Sequence, residues 1–241
     1  MPSYDDATLR RLLDLQTEDS AIDRLEHQKE ILPEAARLRE TNEQLAELTA
    51  DLEIATKQHD EIAREQNRLE GETGMVDDKI AREEQRMYSG KVNNPKELTA
   101  LQAEVESLKR KRGGIEDELL EVMVQRESAT ATMDSLKSEH DTLTATASDL
   151  QNTVMSLTAD LDAQLEKHRA ERAEVAKEID EDLLKTYEKI RETKGGVGAA
   201  ALEGFTCSGC HTKLANVDVE RMRAERGLQR CDNCRRILVI R

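Results

Sequence analysis

Tryptophan is missing from this chain, phenylalanine occurs once and tyrosine three times, so aromatics make up 2% of 241 residues. Too few large apolar groups are present to fill a thick globular core. Proline occurs only three times, which leaves room for long unbroken helices. No apolar run approaches the roughly 20 residues of a membrane span, so no membrane partner is expected. The opening Met-Pro-Ser-Tyr-Asp-Asp lacks the pattern of a signal peptide. Also missing are a Ser-His-Asp arrangement, a His-Glu-x-x-His motif and an inward pair of carboxylates. Gly195-Gly196-Val197-Gly198 follows a helical pattern rather than a strand and is weak as a phosphate loop. The expectation is no enzyme, no catalytic residue and no small-molecule substrate.

Cysteine is scarce too, but its four copies form a pattern. Cys207-Ser208-Gly209-Cys210 is followed, after twenty residues, by Cys231-Asp232-Asn233-Cys234. Each Cys-x-x-Cys knuckle turns tightly enough to aim two thiolates at one ion, and two knuckles complete a tetrahedron of sulfurs. With all four positions filled by protein, such a zinc ion is structural rather than catalytic, and one ion is expected. The competing reading is two disulfides or redox pairs. A redox dithiol usually comes as one pair on a thioredoxin-like fold, and placing every cysteine in a metal site suits a reducing compartment, the cytoplasm. His211 adjoins the first knuckle and reads as a solvated neighbour.

What is abundant is charge, at 36% of residues with a net value of −15. It is unevenly spread. Residues 204–241 carry eight basic residues, Lys213, Arg221, Arg223, Arg226, Arg230, Arg235, Arg236 and Arg241, against four acids, so the rest of the chain holds −19. A basic patch of this kind is a candidate site for RNA or DNA phosphates. The acidic remainder and the lack of aromatics for base stacking count against it.

Apolar residues recur at three-four spacing over most of the length. Leu15, Ile22, Leu25 and Leu32 keep one heptad phase. Pro33 then either kinks the helix or ends it and opens the next. A second phase runs from Leu38 through Leu48, Ala55, Leu69 and Ile80 to Met87, with His59, Gln66 and Thr73 as polar seam residues that fix register. Tyr88-Ser89-Gly90-Lys91-Val92-Asn93-Asn94-Pro95-Lys96-Glu97-Leu98 is the clear break. Gly90 ends one helix; Asn94 as cap, Pro95 at the first helical position and Glu97 three residues after the cap begin another. From Leu98 the stripe continues through Val105, Ile115 and Leu150 to Leu161 and drifts onward to Leu184. One helix of about 95 residues, about 140 Å long and ending near Thr193, is expected.

A short loop forces the two helices antiparallel, with Met87 facing Leu98. Gly71 and Gly74 then fall beside Gly113 and Gly114. Because each glycine costs about 1 kcal/mol in a helix interior, this level is expected to be a bend or soft joint. Lys194 to Gly198 reads as a flexible linker, and Ala199 to Phe205 as the first ribbon strand. Val217 to Arg226 suggests a short helix or irregular insertion, and Arg236 to Ile240 the last strand. Phe205, Leu214, Val217, Leu228, Ile237 and Val239 would form a small core that needs the metal to fold. The fold class is thus mainly α, a long antiparallel two-helix coiled-coil hairpin over 1–193, a linker and first ribbon strand over 194–203, and a small C-terminal zinc ribbon over 204–241.

These residues resemble a bacterial family of coiled-coil proteins with a C-terminal four-cysteine zinc ribbon, formerly a domain of unknown function. The resemblance covers nearly the whole chain. It rests on the tip, Tyr88 to Leu98, on the two knuckles and on Arg236-Ile237-Leu238 after Cys234. Arg235 departs from the glycine usual there. The resemblance implies a non-enzymatic role, with family members linked to an alternative sigma factor, to flagellar or type III secretion components, and to RNA. The leading expectation is a zinc-binding adaptor or chaperone-like regulatory protein. Its candidate protein contacts are Tyr88, Ser89, Gly90, Lys91, Val92, Asn93, Asn94 and Pro95 at the tip, and the ribbon. The alternative is RNA or DNA binding through Arg221, Arg223, Arg226, Arg230, Arg235 and Arg236. The open sides of a two-helix hairpin leave room for a homodimer.

Overall fold

The structure, a computed structural model, describes residues 4–90, 92, 94–225 and 227–240. Helix α1 spans Asp6–Glu30 and starts at Asp5, whose side chain accepts from Thr8 N at 2.8 Å. It stops because Leu32 precedes a proline and is pushed out of helical geometry. Helix α2, Pro33–Tyr88, opens on that proline, so of the two readings of Pro33 the end-and-restart is the one adopted. Gly90, with φ of 71°, turns the chain out of α2. Helix α3, Pro95–Lys177, begins where Asn94 accepts from Lys96 N at 3.0 Å. Glu97 does not close a capping box; it pairs instead with Arg86 of α2 at 3.0 Å.

One expected helix is two. The chain leaves helical geometry over Glu178–Asp180, and α4 runs from Glu181 to Thr193. Asp180 caps α4, accepting from Asp182 N and Leu183 N at 3.0 and 3.2 Å, while Ile179 is buried. The chain forms two compact units, residues 1–36 with 150–241 and residues 37–149.

Within the unit of 37–149, α2 and α3 form the coiled-coil hairpin. Leu69, Val76 and Ile80 pack on Val105, Leu108 and Ile115. Lys79 with Glu104 (3.0 Å) and Arg112 with Asp77 (3.2 Å) bridge the helices, in the antiparallel register that Met87 facing Leu98 implies. Gln66 is buried and accepts from Arg126 of α3 at 3.1 Å, a specific polar link within the seam. Both helices run unbroken through the four glycines.

In the other unit, a four-stranded sheet follows α4: β1 (Ala199–Glu203), β2 (Thr206–Cys207), β3 (Gln229–Arg230) and β4 (Ile237–Ile240), in the order β2-β1-β4-β3. Strands β1 and β4 are parallel, with Ala199 opposite Ile237 and Leu202 opposite Ile240. Side chains alternate between the faces. Ala199, Ile237 and Val239 pack on Leu9, Leu12, Leu15, Leu183 and Tyr187 of α1 and α4. Ala200, Leu202 and Leu238 pack on Cys207, Cys231 and on Val219 and Met222 of helix α5, Asn216–Ala224.

Two expectations fail here. Residues 195–198 are no flexible linker: Gly198 N donates to Gln16 Oε1 at 2.7 Å, Gly196 O accepts from Gln16 Nε2 at 2.9 Å, and a Cβ on Gly198 would lie 2.7 Å from the Tyr187 ring. The ribbon core is also different. Val217 is 79% exposed, because α5 turns Val219 and Met222 inward instead, and Ile237 and Val239 serve the helix-facing core.

Candidate metal centre

The two knuckles are built alike. His211 N donates to Cys207 O and Arg235 N to Cys231 O, both at 2.8 Å; Cys207 N donates to Thr212 O (3.1 Å) and Cys231 N to Arg236 O (3.0 Å). The residue after each second cysteine lies in the left-handed region, His211 at φ 55° and Arg235 at φ 64°. That conformation explains why glycine suits the position of Arg235. His211 is exposed and is no member of the sulfur cluster. At Gly209 a Cβ would meet Ala200 Cβ at 2.9 Å, so the first knuckle sits directly on β1.

These turns bring all four sulfurs within 4.8 Å of one another. Cys207 and Cys234 are 4.0 Å apart and Cys210 and Cys231 3.8 Å. A zinc–sulfur distance of about 2.3 Å places tetrahedral sulfurs about 3.8 Å apart, whereas a disulfide needs about 2.05 Å. The set fits one tetrahedral thiophilic cation. Burial pushes the Cys207 thiol up to about 12 and raises Cys231, while the Thr212 hydroxyl and further hydrogen bonds draw Cys210 down to about 6. A bound cation would supply the charge that lets the buried pair ionise. Asn233 Nδ2 donates to Cys210 Sγ at 3.6 Å and to Thr212 Oγ1 at 2.9 Å, tying the knuckles together.

Family models match both parts of this architecture: a CT398-like coiled coil hairpin domain over residues 15–195 and a C4-type zinc ribbon domain over residues 206–238. The chain belongs to the CT398-like coiled-coil family. A relative from Mycobacterium tuberculosis strain H37Rv, the uncharacterized protein Rv2229c, is 28% identical over 238 residues, which cover 97% of this chain and 95% of the relative. A solved structure from Mycobacterium smegmatis aligns over the full length of both chains with a TM-score of 0.83 and 26% identity. The structure of CT398 from Chlamydia trachomatis, at 20% identity, shares the fold, with a TM-score of 0.66 over 98% of each chain.

At the tip of this CT398-like hairpin, Tyr88 is 79% exposed and Ser89, Gly90, Asn94 and Pro95 are exposed as well, with Val92 half-buried. Ser89 Oγ donates to Arg86 O at 2.7 Å. Lys91 and Asn93 lie outside the described residues, as do Arg226 and Arg241. Among the described residues, the basic side chains do not assemble into one free patch. Arg236 is turned inward, donating to the carbonyls of Val197, Gly209 and Lys194 at 2.9, 2.9 and 2.6 Å. Arg221 pairs with Asp218 and Asp232, and Arg223 pairs with Glu220 and stacks over Phe205. Only Arg230 and Arg235, among the described candidates, are exposed without an ion pair.

A polar cluster of α1, α4 and the end of α3 went unread in the sequence. Asp19, 2% exposed, meets Arg172 at 2.7 Å, Arg191 at 3.6 Å and the Tyr187 hydroxyl at 2.7 Å. Beside it Gln16 holds Gly196, Gly198 and Ala199. These residues join the helices to β1, on which the first knuckle sits. The available signal was the spacing Leu183, Tyr187, Ile190, an inward stripe on a short helix.

Proposed function

We propose that this CT398-like protein is a non-enzymatic adaptor or chaperone-like regulatory protein of the cytoplasm. One structural zinc ion, held by Cys207, Cys210, Cys231 and Cys234, would fix its ribbon. Partner proteins are bound through the hairpin tip, the ribbon or both, and no membrane or small-molecule substrate is involved. The observation that carries this reading is the tip. Tyr88, one of four aromatics in 241 residues, lies 79% exposed, where it serves no core and stands ready for a partner. Among the described residues, no helix is long and apolar enough to cross a membrane. The zinc assignment is supported by a sulfur set of tetrahedral dimensions with no position left over for substrate.

The test is affinity capture from lysate of the source organism with three forms of the full chain: wild type, Tyr88→Ala with Lys91→Glu, and Cys231→Ser with Cys234→Ser. Circular dichroism checks that the helices persist. A defined protein retained by wild type and lost from either variant supports the adaptor reading and says which end makes the contact. Recovery only of nuclease-sensitive material that depends on the ribbon would replace it with nucleic-acid binding.

A further inference from the structure

The middle of the hairpin is unevenly covered: α2 buries Leu48, Ala55 and Gln66 there, while the α3 side stays open. On α3 no residue between Ile115 and Leu150 is buried. Seam residues Leu119, Val122, Met133, Leu136 and Leu143 are only half-buried there, although the same seam is closed at Val105, Leu108 and Ile115. Further apolar side chains of α3 stand largely open to solvent. Leu120, Met123 and Val124 are 60, 45 and 67% exposed, and their spacing puts them on one face of α3. Val124 also edges a groove of about 430 Å³ shared with Ala55, Ile62 and Ala129. Bulky apolar groups that stand out of a rim of charge mark an interaction surface.

Charge identifies the occupant. The glycine level divides the hairpin electrically: residues 37–70 and 115–149 hold eighteen acids against seven basic residues, net −11, while residues 75–112 hold seven acids against nine basic residues, net +2. A second copy would present this face to itself across a two-fold axis, bringing two strongly acidic surfaces together, which is repulsive. A helix with basic flanks and an apolar stripe satisfies both the apolar seam and the acidic rim, in the helix-in-groove manner with anchors at i, i+3, i+4 and i+7. We infer that the middle of the hairpin, around Leu120, Val124 and Ile62, is a docking surface for a basic amphipathic α-helix of a partner protein. This surface goes beyond the tip and ribbon contacts proposed above and does not depend on them.

The test uses the full chain and fluorescently labelled synthetic peptides at physiological salt: an amphipathic Leu/Lys helix, its Leu/Glu counterpart, and a scrambled Leu/Lys peptide of the same composition. Two charge-neutral variants are compared with wild type, Leu120→Gln with Val124→Gln on the surface, and Met75→Gln as an exposed apolar control nearer the tip. The Leu/Lys helix is expected to bind wild type and the Met75 variant alike, and the double variant about tenfold or more weakly, since two apolar anchors are lost. The Leu/Glu peptide should not bind. The proposal is overturned if the scrambled peptide binds as well as the helix, or if the double variant binds within about twofold of wild type. It is also overturned if light scattering shows wild type as a dimer that the double variant abolishes, since the occupant is then a second copy. Peptide binding that survives in the Tyr88→Ala with Lys91→Glu variant separates this surface from the tip, so either proposal can fail alone.

Discussion

Tyr187 has no exposed surface, and its phenol donates to Asp19 Oδ2 at 2.7 Å, with Gln16 Oε1 a second acceptor at 3.1 Å. Burial first, and the Asp19 carboxylate after it, push the phenol above its ordinary value near 10. A folded value raised above the unfolded one gives stability that is fully present below about pH 10 and is lost as pH climbs toward the folded value. Tyr187→Phe should cost about 1–3 kcal/mol near pH 7, because Asp19 and Gln16 lose a buried donor. The gap to wild type should narrow near pH 11, where the unfolded wild-type phenol ionises. Urea unfolding at the two pH values checks both statements; an unchanged gap would mean that the phenol does not titrate on unfolding. Residues such as Asp19 and Gln16 were illegible because a carboxylate and an amide on a helix read as solvated until the fold places Arg172 and Gly198 beside them. The four cysteines were legible because a knuckle is local: two ligands and the turn between them lie within four residues.

Elements whose ends carry their own chemistry are legible in the sequence. Gly90, Asn94 and Pro95 each stop or start a helix by backbone geometry alone, whereas Pro33 by itself allows either a kink or a restart. The break before α4 was missed because Glu178-Ile179-Asp180 contains neither proline nor glycine; what ends α3 is tertiary, Ile179 sinking into the core as Asp180 caps the next helix. Strand β1 was given flexible company because Lys194 to Gly198 is glycine-rich, yet Ala199 to Leu202 are buried on both faces beside β4, as a parallel strand requires. The four interior glycines pose the opposite problem. Added Cβ atoms at Gly71, Gly74, Gly113 and Gly114 would meet nothing within 4 Å, so packing within the chain does not call for them. Replacing Gly71 and Gly74 with alanine should therefore raise stability by about 1 kcal/mol per site, seen as a higher thermal midpoint by circular dichroism. A fall in midpoint would instead show that the helices bend sharply at this level and need glycine to do so.

On the scale of the whole molecule, composition announced an α-helical coiled coil with a separate ribbon, but not the dependence of one on the other. The division expected near residue 194 does not isolate the ribbon, since one face of its sheet is the floor of the core that holds Leu9, Leu12, Leu15 and Tyr187. Alternation along β4 makes this so: Ile237 and Val239 face the helices while Leu238 faces Cys207 and Cys231. No heptad count could reveal that pairing, which brings Ile237 and Val239 at one end of the chain onto Leu9, Leu12 and Leu15 at the other. A ribbon this small would be held by a metal bound at its four cysteines rather than by its apolar area. Removing the metal should thus release the odd-numbered face as well as the even one. With a strong zinc chelator present, hydrogen exchange should accelerate in β1 and β4, in the first half of α1 and in α4, while residues 37–149 keep their protection. Acceleration confined to 204–240 would mean that α1 and α4 hold together without the sheet, and that the metal stabilises the ribbon alone.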